Sequence, residues 1–182
     1  MPFCISEVRH AVFPNDAVVS TALSGLGLSL DDLIAAFQTY VCPATPQTGR
    51  GYQLDLAADL EQYLEGAVRR DGLRATRRRQ ELTYSSSLDR HADFGLVHDA
   101  SGRRVLFEVE FRPDVERDLV QFQIGANGGV LALGVMIVTI DRKALNPADT
   151  TMPEYGPVLK VVSEFRPSYP LVVVGLRGAH AA

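Results

Sequence analysis

The stretch HADFGLVHDASGRRVLFEVEFR, residues 91–112, decides the fold that the sequence predicts. Its centre, DASG at residues 99–102, has the residue types of a tight turn, so the flanking segments are predicted to pair as a hairpin. Side chains alternate between the faces of a strand, so Glu108 and Glu110 point to one face and their apolar neighbours to the other. The hairpin also brings Asp93, on its first strand, alongside the second strand.

These three carboxylates suggest a cation site. In a mostly apolar sheet Asp93, Glu108 and Glu110 would repel one another unless a cation lies between them. Hard oxygen ligands suit Mg²⁺, and Mn²⁺ is an acceptable substitute. A strand with one apolar and one solvated face gives the same pattern without a metal. The residues alone therefore leave open two interpretations, a metal-dependent phosphodiesterase site and a solvated strand.

Length and composition are those of an ordinary globular domain. The 182 residues suit one domain with a substantial core, and 46% are hydrophobic and 22% charged. No apolar run approaches the roughly 18–20 residues that span a membrane. The N-terminal stretch MPFCISEVRH lacks the pattern of a signal peptide, so a cytoplasmic protein without membrane contact is expected. Cys4 and Cys42 match no metal-binding spacing and are predicted to be reduced thiols.

Basic residues are concentrated just before and around the three acids. The net charge is −4, which argues against a protein that simply coats DNA. Residues 69–104 nevertheless hold nine arginines and five acids, a local excess of four positive charges. Arginines beside a carboxylate cluster suit an enzyme that acts on a polyanion, whereas a solvated basic surface is the simpler alternative.

The order of elements predicts a mixed sheet enclosed by helices. A first strand is predicted at residues 3–13, and buried strands at 130–140 and 171–176, which are rich in β-branched residues. An extended arginine-rich segment is predicted to end near residue 83. The predicted helices start near residue 15 and, with Ser29 as N-cap, after residue 29, and cover residues 53–70, 114–126 and 155–165. This succession predicts an α/β fold with helices on both faces of the sheet.

An Asp on the first hairpin strand, Glu-x-Glu on the second and the helix and buried strand that follow resemble the PD-(D/E)XK nuclease superfamily. Asp93 matches the metal-binding Asp of that motif, and Glu108 matches the first acid of its E-x-K element. The third position is usually Lys but is Glu110 here. That departure resembles the BamHI-like and BglII-like type II restriction enzymes, in which an acid or amide replaces the lysine. The resemblance covers about residues 55–176.

The resemblance implies a restriction endonuclease-like three-layer α/β/α core and a Mg²⁺-dependent endonuclease that acts on double-stranded DNA. The whole chain, 1–182, is then one nuclease domain, with an N-terminal helical part at 1–50 and a catalytic core at 51–176. Asp93 and Glu108 are the expected metal ligands, with the backbone carbonyl of Val109 as a third. Glu110 is expected to hold or deprotonate the attacking water, or to help bind a second metal.

Other residues have weaker claims to the site. An upstream acid is expected to complete it, and Glu61, Glu65 and Glu81 are the candidates. Side chains that would contact phosphate or DNA include the arginines of the basic segment and polar residues beside the motif: Arg77, Arg78, Arg79, His91, Arg112 and Gln121. Each of them is also consistent with an ordinary surface residue.

Three functions remain open from the sequence. The first is a type II restriction endonuclease, which would act as a homodimer on a short palindrome because each subunit cuts one strand. The second is a less specific or structure-specific DNA nuclease of the same superfamily. The third is a non-catalytic protein that binds DNA or a partner through a nuclease-like fold.

Overall fold

The computed structural model describes residues 3–42, 50–68, 72–85, 90–110, 112, 114–145 and 151–180. Within these residues seven strands form one sheet with helices on both faces. The strands are β1 (Phe3–Phe13), β2 (Val41–Cys42), β3 (Leu73–Thr76), β4 (Phe94–His98), β5 (Arg104–Val109), β6 (Leu131–Thr139) and β7 (Leu171–His180). The helices are α1 (Asp16–Ser24), α2 (Leu30–Thr39), α3 (Arg50–Ala67), α4 (Arg79–Leu82), α5 (Val115–Asn127) and α6 (Tyr155–Phe165).

The sheet is mixed, in the order β2-β1-β7-β6-β5-β4-β3. Its centre is parallel, because β5, β6 and β7 are joined through the crossover helices α5 and α6. The strands on either side of this centre pair antiparallel. All nine residues of β6 are buried, as expected of a central strand that is covered on both faces.

Alternate residues of the central strands belong to two separate cores. On the first face, Val105, Phe107 and Val109 of β5 pack with apolar residues of α1, α2 and α3. On the second face, Leu106 packs with Met136 of β6 and with α5 and α6. The predicted fold class, an α/β chain with helices on both faces of a mixed sheet, is confirmed.

The hairpin predicted from residues 91–112 is present as β4 and β5. Phe94 lies opposite Phe107, and their rings stack with centroids 4.4 Å apart. The turn ends at Gly102, whose φ of 68° is in the left-handed region that favours glycine. The hairpin therefore has the register that places Glu108 and Glu110 on the second face of the sheet.

The predicted helices are confirmed with small shifts of their ends. Asn15 and Ser29 cap α1 and α2, since their side chains accept hydrogen bonds from Val18 N and Asp32 N. The structure corrects the extended segment predicted before residue 83, which contains β3 and the short helix α4. Thr76 Oγ1, at the end of β3, accepts a hydrogen bond from Arg78 N where the chain turns into that helix.

Two close approaches fix α5 and α6 on the second face. Phe122 of α5 lies over Gly134, where a β-carbon would be 3.0 Å from the ring. Tyr155 of α6 lies over Gly175, where a β-carbon would be 2.7 Å from the ring. A β-carbon at either position would force the overlying ring to shift.

The first fifty residues contribute to the sheet as well as to its helical cover. β1 pairs with β7 over Phe3–Phe13, and α1 and α2 pack on the first face. Across the residues that the structure describes, no helix has both the length and the apolar character needed to cross a membrane.

Candidate active site

The Glu-x-Glu segment, Glu108 to Glu110, lies at the carboxyl end of β5, just before the chain continues to α5. Glu108 is the penultimate residue of β5 and is partly exposed. Glu110 follows the strand, and its N–H donates to Ile137 O of β6 at 2.9 Å. Val109 between them is buried in the core of the first face. The predicted alternation therefore holds, with both glutamates on the opposite side from Val109.

Asp93 is fixed to this segment through the backbone. Its N–H donates to Phe107 O at 3.1 Å, and its carboxylate accepts a hydrogen bond from Val109 N at 2.9 Å. Asp93 immediately precedes β4 and is not part of the strand as predicted, but it lies beside the Glu-x-Glu segment.

Glu108 has a tyrosine as its main hydrogen-bond partner. Tyr84 is fully buried, packs edge-on against Phe122, and donates its hydroxyl to Glu108 Oε1 at 2.5 Å. Burial of the carboxyl group, and then the negative charges of Asp93 and Asp118, raise the pKa of Glu108 well above its ordinary value. Burial and the neighbouring Glu108 raise the pKa of Tyr84 in turn, so the tyrosine remains the donor.

Glu110 is deeply buried, with 4% of its surface exposed. Its protonated carboxyl group donates a hydrogen bond to Asp118, and within the described residues Oε1 has no hydrogen-bond partner. Burial, followed by the charge and hydrogen bond of Asp118, raises the pKa of Glu110 well above its ordinary value. A buried carboxyl oxygen without a donor costs free energy unless a ligand or a proton satisfies it.

Asp118 was not among the predicted site residues. It lies in the first turn of α5, is 3% exposed, and accepts hydrogen bonds from Arg117 Nε at 3.2 Å and Gln121 Nε2 at 3.0 Å. The sequence did contain a signal, because Asp118 is three residues after Val115 and four before Phe122, on the apolar stripe of α5. An acid on the buried side of a helix that follows Glu-x-Glu is an unusual position.

The donor chemistry of this cluster fits a hard divalent cation. Asp93, Glu108, Glu110 and Asp118 supply only oxygen, and the unpartnered Oε1 of Glu110 is the atom that most needs a positive charge. As placed, each carboxyl group also contacts a protein partner, and the part of the chain that the structure describes has no group of three or more His, Cys, Asp or Glu arranged to hold a metal ion. Cation binding is therefore a proposal and is argued as one below.

The three upstream acids lie in other surroundings. Glu81 pairs with Arg74 at 2.8 Å and accepts from Thr76, which together lower its pKa to about 2. Glu61 and Glu65 lie on α3, which packs on the first face, whereas Glu108 faces the second. The further acid that lies beside Asp93, Glu108 and Glu110 is Asp118, which is downstream of the hairpin and not upstream.

All but one of the residues predicted to contact DNA are exposed. The exposed members are Arg77, Arg78, Arg79, His91 and Arg112. Gln121 requires a correction, because it is buried at 6% exposure and donates to Asp118 instead of facing outward. Its position on the apolar stripe of α5, three residues after Asp118, explains the difference. Of the arginine-rich window, Arg69 and Arg70 lie outside the described residues.

The chain was compared with known proteins. It is similar to the restriction endonuclease BglII in its crystal structure with a DNA 16-mer, with 12% sequence identity and a TM-score of 0.46. The match covers 93% of this chain and 78% of that chain. No protein-family model matches the sequence, and no curated protein matches it significantly. Because likeness at this level carries no argument about activity, we take the function from the side chains of the site.

Proposed function

We propose that the chain is a Mg²⁺-dependent endonuclease that hydrolyses phosphodiester bonds in double-stranded DNA. The observation that carries the proposal is the buried Glu110, whose Oε1 has no partner among the described residues and whose neighbours are three further acids. Burying several carboxyl groups together is costly, so such a cluster is expected where a cation compensates it. The proposed nuclease domain is the whole chain, with its catalytic core at residues 51–176.

The residues that would hold the cation lie at the open end of the hairpin, just before β4 and at the end of β5. Asp93 and Glu108 would supply carboxylate oxygens, with the backbone carbonyl of Val109 as a third ligand. Mg²⁺, when bound, would acidify a water molecule and offset the negative charge of the phosphate. Mn²⁺ has similar ligand preferences and would substitute for it.

We propose that Glu110 would hold the cation-bound water and take its proton, so that it contributes to cation binding as well as to the reaction. A carboxylate accepts a proton, which the charged lysine usual at this position of the superfamily motif cannot do without first losing its own. Its burial raises its pKa, which makes it a better proton acceptor once ionised than a solvated glutamate.

The substrate is proposed from charge. Arg77 and Arg78 are exposed and directly follow β3, the edge strand that pairs with β4 of the hairpin. Guanidinium groups bind phosphate oxygens and offset the repulsion between the acids of the site and a polyanion. We further propose a homodimer that cuts both strands at a specific sequence, since one subunit with one site cuts one strand.

Digestion of plasmid and phage DNA with Mg²⁺ or Mn²⁺ tests the proposal, with wild type compared with Glu108→Ala. We expect discrete fragments with the wild type and none with the variant. The matched control is Glu116→Ala, which removes an exposed acid from the first turn of α5 and is expected to cut like the wild type.

Two other results have definite meanings. A smear or nicking that is absent in Glu108→Ala would retain the metal-dependent nuclease and reject sequence specificity. No cleavage of any DNA by folded wild-type protein would reject the nuclease and favour a protein that only binds DNA or a partner.

A further inference from the structure

The first turn of α5 places a second buried acid against Glu110. Asp118 is 3% exposed, although acids are rarely buried unless they are paired or bind a ligand. Its partners are Arg117, with Nε 3.2 Å from Oδ1, Gln121, with Nε2 3.0 Å from Oδ1, and Glu110. Asp118 is therefore fixed from two sides and directed at the Glu-x-Glu segment.

The helix that carries Asp118 is itself held in place by packing and a buried hydrogen bond. Phe122, one turn further along α5, lies against Gly134 of β6. Tyr169 donates its buried hydroxyl to Leu119 O at 2.7 Å. These contacts involve Leu119, which follows Asp118, and Phe122, which follows Gln121. A rigid part of the fold therefore places Asp118 beside Glu110.

The side chain of Gln121 is explained by this arrangement. A buried amide needs hydrogen-bond partners, and Gln121 Nε2 donates to the carboxylate of Asp118. Arg117 is nearly half exposed and approaches the same carboxylate from the solvent side. Asp118 thus accepts from the neutral amide of Gln121 on its buried side and from the guanidinium of Arg117 on its solvent side. Two such donors hold a carboxylate in one orientation.

We propose that Asp118 is a positioning residue of the active site. It holds the carboxyl group of Glu110 beside Glu108, so that the unpartnered Oε1 of Glu110 belongs to the divalent-cation site and does not face solvent. The role rests on the proposed function, because it requires that a cation binds at this cluster. It adds to that proposal a residue on α5 that lies outside the hairpin motif.

The test is Mn²⁺ binding, measured by the electron paramagnetic resonance signal of free Mn²⁺, with and without double-stranded DNA. Asp118→Ala is expected to weaken binding by about 10–100-fold, the usual effect of losing a residue that orients a ligand. Asp118→Asn is expected to remain within about threefold of wild type. The asparagine oxygen still accepts from Gln121, and its amide donates to Glu110.

The matched control for Asp118→Ala is Glu116→Ala, which removes an exposed acid from the same turn of α5. It is expected to bind Mn²⁺ like the wild type. Should Asp118→Ala fail to fold, Gln121→Ala takes its place, because it removes the buried donor of Asp118 and is expected to weaken binding by at least about threefold.

The outcomes separate this inference from the proposed function. If wild type binds Mn²⁺ and Glu108→Ala does not, the cation site stands. In that case unchanged affinity in Asp118→Ala, or in Gln121→Ala when that variant is used, would overturn the positioning role. A loss in Asp118→Asn as large as in Asp118→Ala would also overturn it, since charge and not orientation would then matter. If wild type binds no Mn²⁺, with or without DNA, both proposals fail.

Discussion

Tyr84 donates its hydroxyl hydrogen to Oε1 of Glu108 at 2.5 Å, from a ring that is fully buried against Phe122. The two residues are 24 positions apart in the chain. Their hydrogen bond joins the segment after α4 to the end of β5 and fixes one carboxylate of the site from the side of the core. Since Asp118 contacts Glu110, each glutamate of the Glu-x-Glu segment has its own partner outside the hairpin.

Tyr84→Phe is expected to weaken both folding and cation binding. It removes the hydroxyl that Glu108 accepts from, and the absence of a buried hydrogen bond costs about 1–3 kcal/mol. In a chain of this size that is about 2–4 °C in Tm for each kcal/mol. Because Glu108 also loses its orientation, Mn²⁺ affinity is expected to fall by about tenfold. Thermal unfolding and Mn²⁺ titration measure the two effects.

Tyr169→Phe is the matched control, because Tyr169 also donates a buried hydroxyl, to Leu119 O. It is expected to lower Tm by a similar amount but to lower Mn²⁺ affinity much less than Tyr84→Phe, because Phe122 against Gly134 still holds α5 in place. Equal losses of affinity in the two variants would show that Tyr84 contributes only to stability.

The exposed arginines near the hairpin are expected to bind phosphate without reading sequence. Arg77→Ala combined with Arg78→Ala should weaken binding to every duplex by a similar factor. The slope of log affinity against log salt concentration should become shallower by about 0.9 for each phosphate group that the variant no longer binds. Fluorescence anisotropy of labelled duplexes across a salt series provides the measurement.

Lys160→Ala supplies the comparison for the arginine pair, since Lys160 is exposed on α6. Its salt dependence should match that of the wild type. An unchanged slope in the double arginine variant would place the DNA surface elsewhere on the chain.

Periodicity and turn chemistry predicted most of the fold. The hairpin at residues 91–112, the buried strand β6 and the cap at Ser29 all follow from local patterns, and each is present. The segment before residue 83 was predicted less well. β3 and α4 are joined by hydrogen bonds from Arg74 and Thr76 to Glu81, which no periodic pattern predicts.

The site was predictable only where the chain brings residues together locally. Asp93, Glu108 and Glu110 share one hairpin, so strand alternation and one turn sufficed to associate them. Tyr84 and Asp118 reach the same glutamates through the packing of α5 on the second face. That packing depends on close fits such as Phe122 over Gly134, which follow from tertiary structure alone.

Glu81 is expected to make the protein sensitive to acid. Hydrogen bonds from Arg74 and then Thr76 lower its pKa from 4.5 to about 2. A carboxylate with a lowered folded-state pKa stabilises the fold fully above about pH 4.5, and this contribution disappears as the pH falls towards 2. Because the pair is partly exposed, the effect should be limited to about 1 kcal/mol.

Thermal unfolding of wild type and Glu81→Gln between pH 7 and pH 3 checks this expectation. The two Tm curves should converge as the pH falls, since acid removes the same interaction that the variant lacks. Glu164→Gln, an exposed acid on α6, should run parallel to wild type over this range. A constant gap between wild type and Glu81→Gln would show that the low pKa of Glu81 contributes nothing to acid sensitivity.

Glu110→Gln is expected to stabilise the cation-free protein and to abolish the proposed DNA cleavage. Burial and Asp118 raise the pKa of Glu110, and a carboxyl group with a raised folded-state pKa favours folding less as the pH rises past its ordinary value of 4.5. Glutamine keeps the shape without the charge, so Tm at pH 8 should rise. Each unit of the raised pKa is worth about 1.4 kcal/mol, or about 3–6 °C.

With Mn²⁺ present, the order should reverse. Wild type should gain Tm with increasing Mn²⁺ because the cation binds only the folded chain, whereas Glu110→Gln should gain much less. DNA cleavage by the variant should fall by at least about 100-fold, the lower end of what a general base contributes. A variant that is no more stable without the cation, or that gains as much Tm from Mn²⁺ as wild type, would remove Glu110 from the site. Both scans are made at pH 8 with chelator-treated protein, so that they differ only in added Mn²⁺.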